Sequence, residues 1–341
     1  MRALVVHGAS DLRVDQRPRP DPGPGEVEVR IAVGGICGSD LHYYHHGGVG
    51  DFKLKEPMTL GHEVAGHVAR IGPGVGGLAE GDRVAVHPAR PCGRCPACLA
   101  GRSNLCADMR FLGSAMRFPH VQGGFSEYLV VSAPQAVPVP DHLPLERAVF
   151  AEPLAVGLHA ATRAGDLRGR EVLITGAGPI GILAVLAVRY AGAGRIVITD
   201  LVDEPLAVAM AAGATDVVNV RTAGEPLPAV DVAIEMSGSP AGFASCLNTV
   251  RPGGRVVTVG LMPPGDQAAP LNLVTMRELE IIGSFRYIEE YAGAVAALAE
   301  GVDVTPLMSG IFPLSKAREA FDLASDRQAA TKVQLDLEGA S

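Results

Sequence analysis

Six cysteines stand in this 341-residue chain, and four fall in one run: Cys92-Gly-Arg-Cys95-Pro-Ala-Cys98, then seven residues, then Cys106. Two-residue spacers let successive thiolates turn back onto one ion, and a fourth thiolate closes a tetrahedron. Such a closed set suits a structural zinc; an iron–sulfur cluster is the other group it could hold. Gly93, Pro96 and Gly101 favour a loop folded round a metal. With every coordination position filled by protein, the centre would hold a loop and do no chemistry.

A second constellation is dispersed. Gly35-Ile-Cys37-Gly-Ser39-Asp40-Leu-His42 comes first, Gly61-His62-Glu63 follows, and Ala151-Glu152-Pro153 comes much later. Singly these are ordinary, since a lone cysteine is usually core and a His-Glu pair usually surface. Together they offer a thiolate, an imidazole and two carboxylates. Three protein ligands and one position open to water or substrate describe a catalytic zinc centre. Such a centre needs groups that can move a proton. The Ser39 hydroxyl, two residues past Cys37, is placed to meet the reacting oxygen, and His42, three residues on, to pass the proton to water.

A third signal is a glycine-rich turn. Thr175-Gly176-Ala-Gly178-Pro179-Ile180-Gly181 follows an apolar strand, opens an apolar helix, and precedes Asp200 at the end of the next strand. In that context a Gly-x-Gly-x-x-Gly run binds a dinucleotide. Gly176 makes the turn, Gly178 lets backbone approach the pyrophosphate, and Gly181 lets helix and strand pack closely. The helix N-terminus offers unpaired N–H groups and partial positive charge to the phosphates. Asp200 would accept bonds from ribose hydroxyls and repel a 2′-phosphate. Leu201, Val202, Asp203 and Glu204 supply no cation to receive one, so NAD is favoured over NADP.

Two kinds of periodicity must position these groups. Up to about residue 150, Glu26–Val33 alternates polar and apolar with period two, and Val64–Ile71, Arg83–Val86 and Phe125–Val131 read as further strands between Gly/Pro turns. A small barrel with long functional loops is expected. Beyond Glu152, a helix over Ala155–Arg163 leads into alternating short apolar strands and helices. The strands are Val172–Thr175, Arg195–Thr199, Val217–Val220, Asp231–Glu235 and Arg255–Val259. That alternation predicts a doubly wound parallel sheet, hence an α/β fold. A helix over Tyr287–Glu300 and a strand over Lys332–Leu337 end the chain.

Composition bounds the rest. Apolar residues make up 48% and charged residues 19%, and the net charge is −8. This is ordinary for a globular protein and gives no basic footprint for nucleic acid or an anionic membrane. No stretch reads as a membrane span or export signal, so a cytoplasmic protein is expected, in which clustered thiols serve metals more often than disulfides.

With these motifs in this order, the chain resembles the medium-chain zinc dehydrogenases, the group that includes alcohol, sorbitol and threonine dehydrogenases. The resemblance spans nearly the whole length. It implies a GroES-like β-barrel catalytic domain over 1–153 and 286–341, with a Rossmann domain over 154–285 inserted between. It also implies two zinc ions per chain, NAD, and a homo-oligomer, dimer or tetramer. Ala151-Glu152-Pro-Leu looks like the polyol branch, where alcohol dehydrogenases proper have a cysteine. That branch implies Cys37, His62 and Glu63 as zinc ligands, with Glu152 holding the metal's water or ligating directly. It further implies a proton relay through Ser39, the cofactor ribose and His42.

Within the branch, the segments 34–44, 110–125 and Gly283-Ser-Phe-Arg286 resemble the L-idonate 5-dehydrogenases, which interconvert L-idonate and 5-keto-D-gluconate. A sugar-acid carboxylate needs a cation in the pocket. Arg286 is the first candidate, expected near the cleft between domains; Arg110, Arg117 and His120 are the others. Tyr43 matches a second substrate-facing position, and Phe111 is expected in the pocket wall. Sorbitol, threonine or simple alcohols are alternative substrates on the same frame. A non-enzymatic zinc protein is opposed by the net acidity, the open zinc site and the dinucleotide fingerprint.

Overall fold

The computed structural model describes residues 1–339 and divides them into two compact units. The first comprises Met1–Glu152, Leu298–Glu300 and the chain from Met308 onward; the second comprises Pro153–Ala297 and Gly301–Leu307.

The first unit is built on a seven-stranded sheet. Its order is Ala136–Pro138, Arg83–Val86, Glu63–Ile71, Glu26–Gly35, Lys332–Asp336 and Met308–Pro313, with Tyr128–Ser132 also paired to Glu26–Gly35. The long Glu26–Gly35 strand is the hub. It runs antiparallel to Glu63–Ile71, to Tyr128–Ser132 and, through Val33, Gly34 and Gly35, to the C-terminal strand. The tail therefore closes the first unit. These strands and the segments packed on them share one core, in which Leu4, Ile31, Met58, Leu60, Phe125 and Phe321 have at most 1% of their surface exposed.

Period-two alternation located this hub, but Phe125 is not within a strand. Its N–H donates to Leu60 O and its carbonyl accepts from Leu4 N, so it bridges two segments, and the regular strand begins at Tyr128.

The second unit is a six-stranded, wholly parallel sheet in the order Asp216–Asn219, Arg195–Asp200, Glu171–Thr175, Val230–Glu235, Val250–Thr258, Glu280–Gly283. The first three strands step one way from Glu171–Thr175 and the last three the other. The reversal lies beside the strand that precedes the glycine-rich turn, and there open α/β sheets bind their ligands. The central strands are buried on both faces, which explains their unbroken apolar runs.

The second unit also runs further than 285. The helix Glu290–Ala299 begins inside it, because His159 Nδ1 lies 2.9 Å from Glu290 Oε1 and Tyr291, Ala294 and Val295 are buried. Leu298–Glu300, at the end of that helix, fall in the first unit, and the chain returns to it for good at Met308. Among the described residues no helix is long and apolar enough to cross a membrane.

Candidate active site

Cys37 stands two residues beyond the end of the hub strand and is the N-cap of the helix Gly38–His46. Three residues into the turn, Asp40 reaches back. Its Oδ2 accepts from Cys37 N–H at 3.0 Å and its Oδ1 accepts from Gly61 N–H at 3.1 Å. This carboxylate is fully buried, and burial raises its pKa. It ties the segment carrying Cys37 to the segment carrying His62, whose Nδ1 lies 3.9 Å from Asp40 Oδ1.

As a result, one donor atom each from Cys37, His62 and Glu63 lie within 4.8 Å of one another. Thiolate, imidazole and carboxylate are the donors zinc accepts, and three of them leave a coordination position open. Burial alone would lower the His62 pKa, yet the Cys37 thiolate, Asp40 and Glu152 drive it well above the ordinary value. A concentration of negative charge around a buried imidazole is what a divalent cation would relieve.

Glu63 also has a partner that sequence reasoning missed. Lys332, 2% exposed, donates from Nζ to both Glu63 oxygens at 2.7 and 2.8 Å and to Ile36 O at 3.1 Å. Burial opposes its charge, but Glu63 first, then Cys37 and Glu152, hold its pKa above the ordinary value. Glu152 sits buried in the first turn of the helix Ala151–Ala164. It is not in the set that converges within 4.8 Å, although its charge acts on His62 and Lys332.

Ser39 and His42 lie on the helix that Cys37 caps; Ser39 is half-buried and His42 exposed. The Phe111 ring lies 5.5 Å from that of His62 and so walls the metal-binding cluster. Tyr43 is 3% exposed within the core, and its hydroxyl accepts from Ala115 N–H at 2.9 Å. Its ring therefore packs, and only the hydroxyl proton is left for a further partner.

The other candidate cations separate clearly. Arg117 is held by Asp108 at 2.7 Å and by the carbonyls of Ala107 and Met109. His120 accepts from Lys55 N–H at Nε2, and its Nδ1 lies 2.7 Å from Arg117 O, so both ring nitrogens are taken up by the backbone. Arg110 faces away from His62, because its strand neighbour Phe111 faces toward it. Arg286, in the second unit, has φ +54 and lies with its guanidinium 4.8 Å from the centre of the Phe285 ring.

The four loop cysteines also converge, all sulfurs lying within 4.8 Å. Backbone N–H groups of Cys92 and Asp108 donate to Cys106 Sγ, and that of Cys95 donates to Cys92 Sγ. The N–H groups of Cys98 and Ala107 draw the Cys95 thiol down to about 6, whereas loss of hydration and its thiol neighbours push Cys98 up to about 12. Four thiols this close cannot all ionise unless a cation balances them, which is what a structural zinc does.

In the second unit, Gly176 takes φ +93, and a Cβ there would come within 2.9 Å of the Ser237 backbone. A Cβ on Gly181 would stand 1.9 Å from Gly176 O, while Gly178 faces open space. The turn can exist only with glycine at its first and last positions, and it leaves room at the middle one for a phosphate group. Pro179 and Ile180 open the helix Pro179–Tyr190, which Gly178 caps. Asp200 Oδ2 accepts from Ala177 N–H at 2.7 Å and Oδ1 from Leu201 N–H at 2.7 Å, so the acid is fixed against the glycine turn.

This fold and these clusters define a zinc-dependent dehydrogenase with a barrel domain and a dinucleotide-binding domain. Residues 23–141 match the alcohol dehydrogenase GroES-like domain and residues 179–300 the zinc-binding dehydrogenase domain. The chain is 44% identical to L-idonate 5-dehydrogenase (NAD(P)(+)) of Escherichia coli K12 over 90% of both chains, and 39% identical to sorbitol dehydrogenase of Bacillus subtilis over 95% of this chain and 93% of that one. The crystal structure of L-idonate 5-dehydrogenase from Escherichia coli superposes with a TM-score of 0.93 at 42% identity, covering 98% of this chain and 97% of that one. The chain belongs to the medium-chain zinc-dependent alcohol dehydrogenase family.

Proposed function

We propose that this enzyme oxidises a secondary hydroxyl of a sugar acid, with L-idonate and 5-keto-D-gluconate as the interconverted pair and NAD as the coenzyme. The observation that carries this reading is the convergence of Cys37, His62 and Glu63 beside Phe111, in a chain whose second unit holds the glycine turn and Asp200. When bound, zinc supplies Lewis acidity at the alcohol oxygen and NAD accepts the hydride.

The chain's own residues do the remainder. Cys37, His62 and Glu63 hold the catalytic metal, and Glu152 ligates it or orients a water. Asp40 and Lys332 fix the donors. Phe111 limits water at the reacting carbon. The Ser39 hydroxyl takes the alcohol proton, and His42, exposed to solvent, delivers it to water. Cys92, Cys95, Cys98 and Cys106 hold a second, structural zinc. Gly176, Gly178, Pro179, Ile180 and Gly181 with the helix N-terminus seat the pyrophosphate, and Asp200 the ribose hydroxyls.

Arg286 binds the substrate carboxylate, and the Tyr43 hydroxyl proton is available to the polyol. A homo-oligomer is supported by the rim strand Glu280–Gly283, whose outer edge has no partner within the sheet, and by exposed Leu271, Met276 and Ile281 nearby in sequence. Six unpaired cysteines suit a reducing, cytoplasmic setting.

Steady-state kinetics with L-idonate, sorbitol, L-threonine and ethanol, each with NAD and NADP, test this reading. L-Idonate with NAD should give the highest kcat/KM. Arg286→Ala should raise KM for L-idonate at least tenfold, on the order of 1.4 kcal/mol, and affect uncharged sorbitol less. A wild-type preference for sorbitol would leave only the broader polyol reading.

A further inference from the structure

The short ribbon that walls the metal cluster has a second face. Arg110–Phe111 pairs antiparallel with Ala89–Arg90, with Arg110 directly opposite Arg90. Phe111 lies on His62, so Arg110 points the other way, into a separate cavity of about 380 Å³ within the first unit that Arg90 and Arg17 also line. Like charges directly across a strand pair are unfavourable unless something neutralises them. Among the described residues, neither the Arg90 nor the Arg110 side chain makes an ion pair or hydrogen bond. Arg17 Nε is buried without an acceptor; its carboxylate neighbour, Asp15, is 3.8 Å away and bonds His7 at 2.9 Å.

The lining contains no aspartate or glutamate. The chain as a whole is acidic, with 37 acids against 29 bases, and several of its arginines are held by carboxylates. Arg19 and Arg70 share Glu28, Arg251 bridges Glu171 and Asp231, and Arg255 holds Glu280. Arg90 and Arg110, exposed and without a counter-charge, and Arg17, whose Asp15 partner lies 3.8 Å away, line one concavity and form an anion receptor, because each planar fork suits a carboxylate or phosphate. The remaining wall, including Leu112, Val121 and Leu129, is apolar and suits a short carbon skeleton.

We propose that this cavity is a second ligand site, distinct from the metal cluster, for a small polyvalent anion of the phosphate-ester or dicarboxylate class. Bound there, the anion bridges Arg90 to Arg110 across the ribbon. Cys92 and Cys106 flank these arginines in sequence, and Phe111 faces His62, so the ligand stiffens the segment between the four-cysteine loop and the metal-binding cluster.

The probes are glycerol 3-phosphate and succinate, titrated calorimetrically into zinc-loaded protein saturated with NADH, with sodium chloride at equal ionic strength and uncharged glycerol as controls. One site per chain is expected, with a Kd on the order of 1 mM or below, and a rise in Tm that chloride and glycerol do not reproduce. Arg90→Gln and Arg110→Gln should each weaken binding about tenfold. Binding by both variants as tight as the wild type's, or the same Tm rise with chloride, would overturn the proposal. So would a change of sedimenting mass in Arg90→Gln without anion binding by the wild type, since the arginines would then meet acidic groups of a second copy.

Discussion

Asp40 holds together two donors that no local sequence brings near each other, and it does so with two bonds to backbone N–H groups. Asparagine at this position can accept only one of them and turns an NH2 toward the other. A buried N–H left unsatisfied costs about 1–3 kcal/mol. Asp40→Asn should therefore loosen the Cys37–His62–Glu63 cluster and spare the four-cysteine loop. Mass spectrometry under native conditions after dialysis against a mild chelator should show zinc falling from two ions toward one per chain. Retention of both ions with unchanged release kinetics would remove Asp40 from this role. The ligand types and the four-cysteine spacing were legible in the sequence because metals demand particular atoms. Asp40 and Lys332 were not read, since each acts on a donor and not on the metal. Asp40 at least leaves a trace, as an acid three residues after the N-cap. Lys332 leaves none, because its contact with Glu63 spans 269 positions of sequence.

Among the elements, the glycine turn and the helix Pro179–Tyr190 distinguish a structural glycine from a binding one. At Gly181 an added Cβ meets the Gly176 carbonyl, whereas at Gly178 it meets nothing. Gly181→Ala should lower stability by about 1–3 kcal/mol through overpacking, and weaken NADH binding as the turn shifts. Gly178→Ala should leave the Tm unchanged and weaken NADH binding alone, by crowding the pyrophosphate. Thermal unfolding and NADH fluorescence titration on both variants separate the two effects; equal Tm losses would mean that the open space at Gly178 is filled by protein. The parallel strands were legible because burial on both faces gives unbroken apolar runs bounded by turns. The onset of Tyr128–Ser132 was not, because Phe125 is held by single bonds to two different segments and not by a ladder. The end of the second unit was misplaced for a similar reason: the His159–Glu290 contact that anchors the helix Glu290–Ala299 there is long-range.

On the scale of the molecule, each unit carries a carboxylate whose ionised form the fold protects, and each contributes to the response to acid. In the first unit Glu28 is fully buried; burial works against its charge, but Arg19 and Arg70 hold its pKa down at about 2 from an ordinary 4.5. In the second, burial likewise opposes the charge of Glu290, and His159 with the Ile288 and Glu290 N–H groups holds it at about 2. Between these values the unfolded chain binds a proton that the folded chain refuses, so stability rises with pH across that window. The contribution is complete above about pH 4.5 and is lost as pH falls through about 2, up to about 3 kcal/mol for each group. Urea unfolding at intervals from pH 2 to 6 should show this slope. Glu28→Gln should flatten it for the first unit and Glu290→Gln for the second, with each variant least handicapped at the acid end, where the wild type has lost the same charge. Because the two units have separate cores, the two flattenings should add. A slope between pH 2 and 4.5 unchanged in both variants would show that other carboxylates govern acid unfolding.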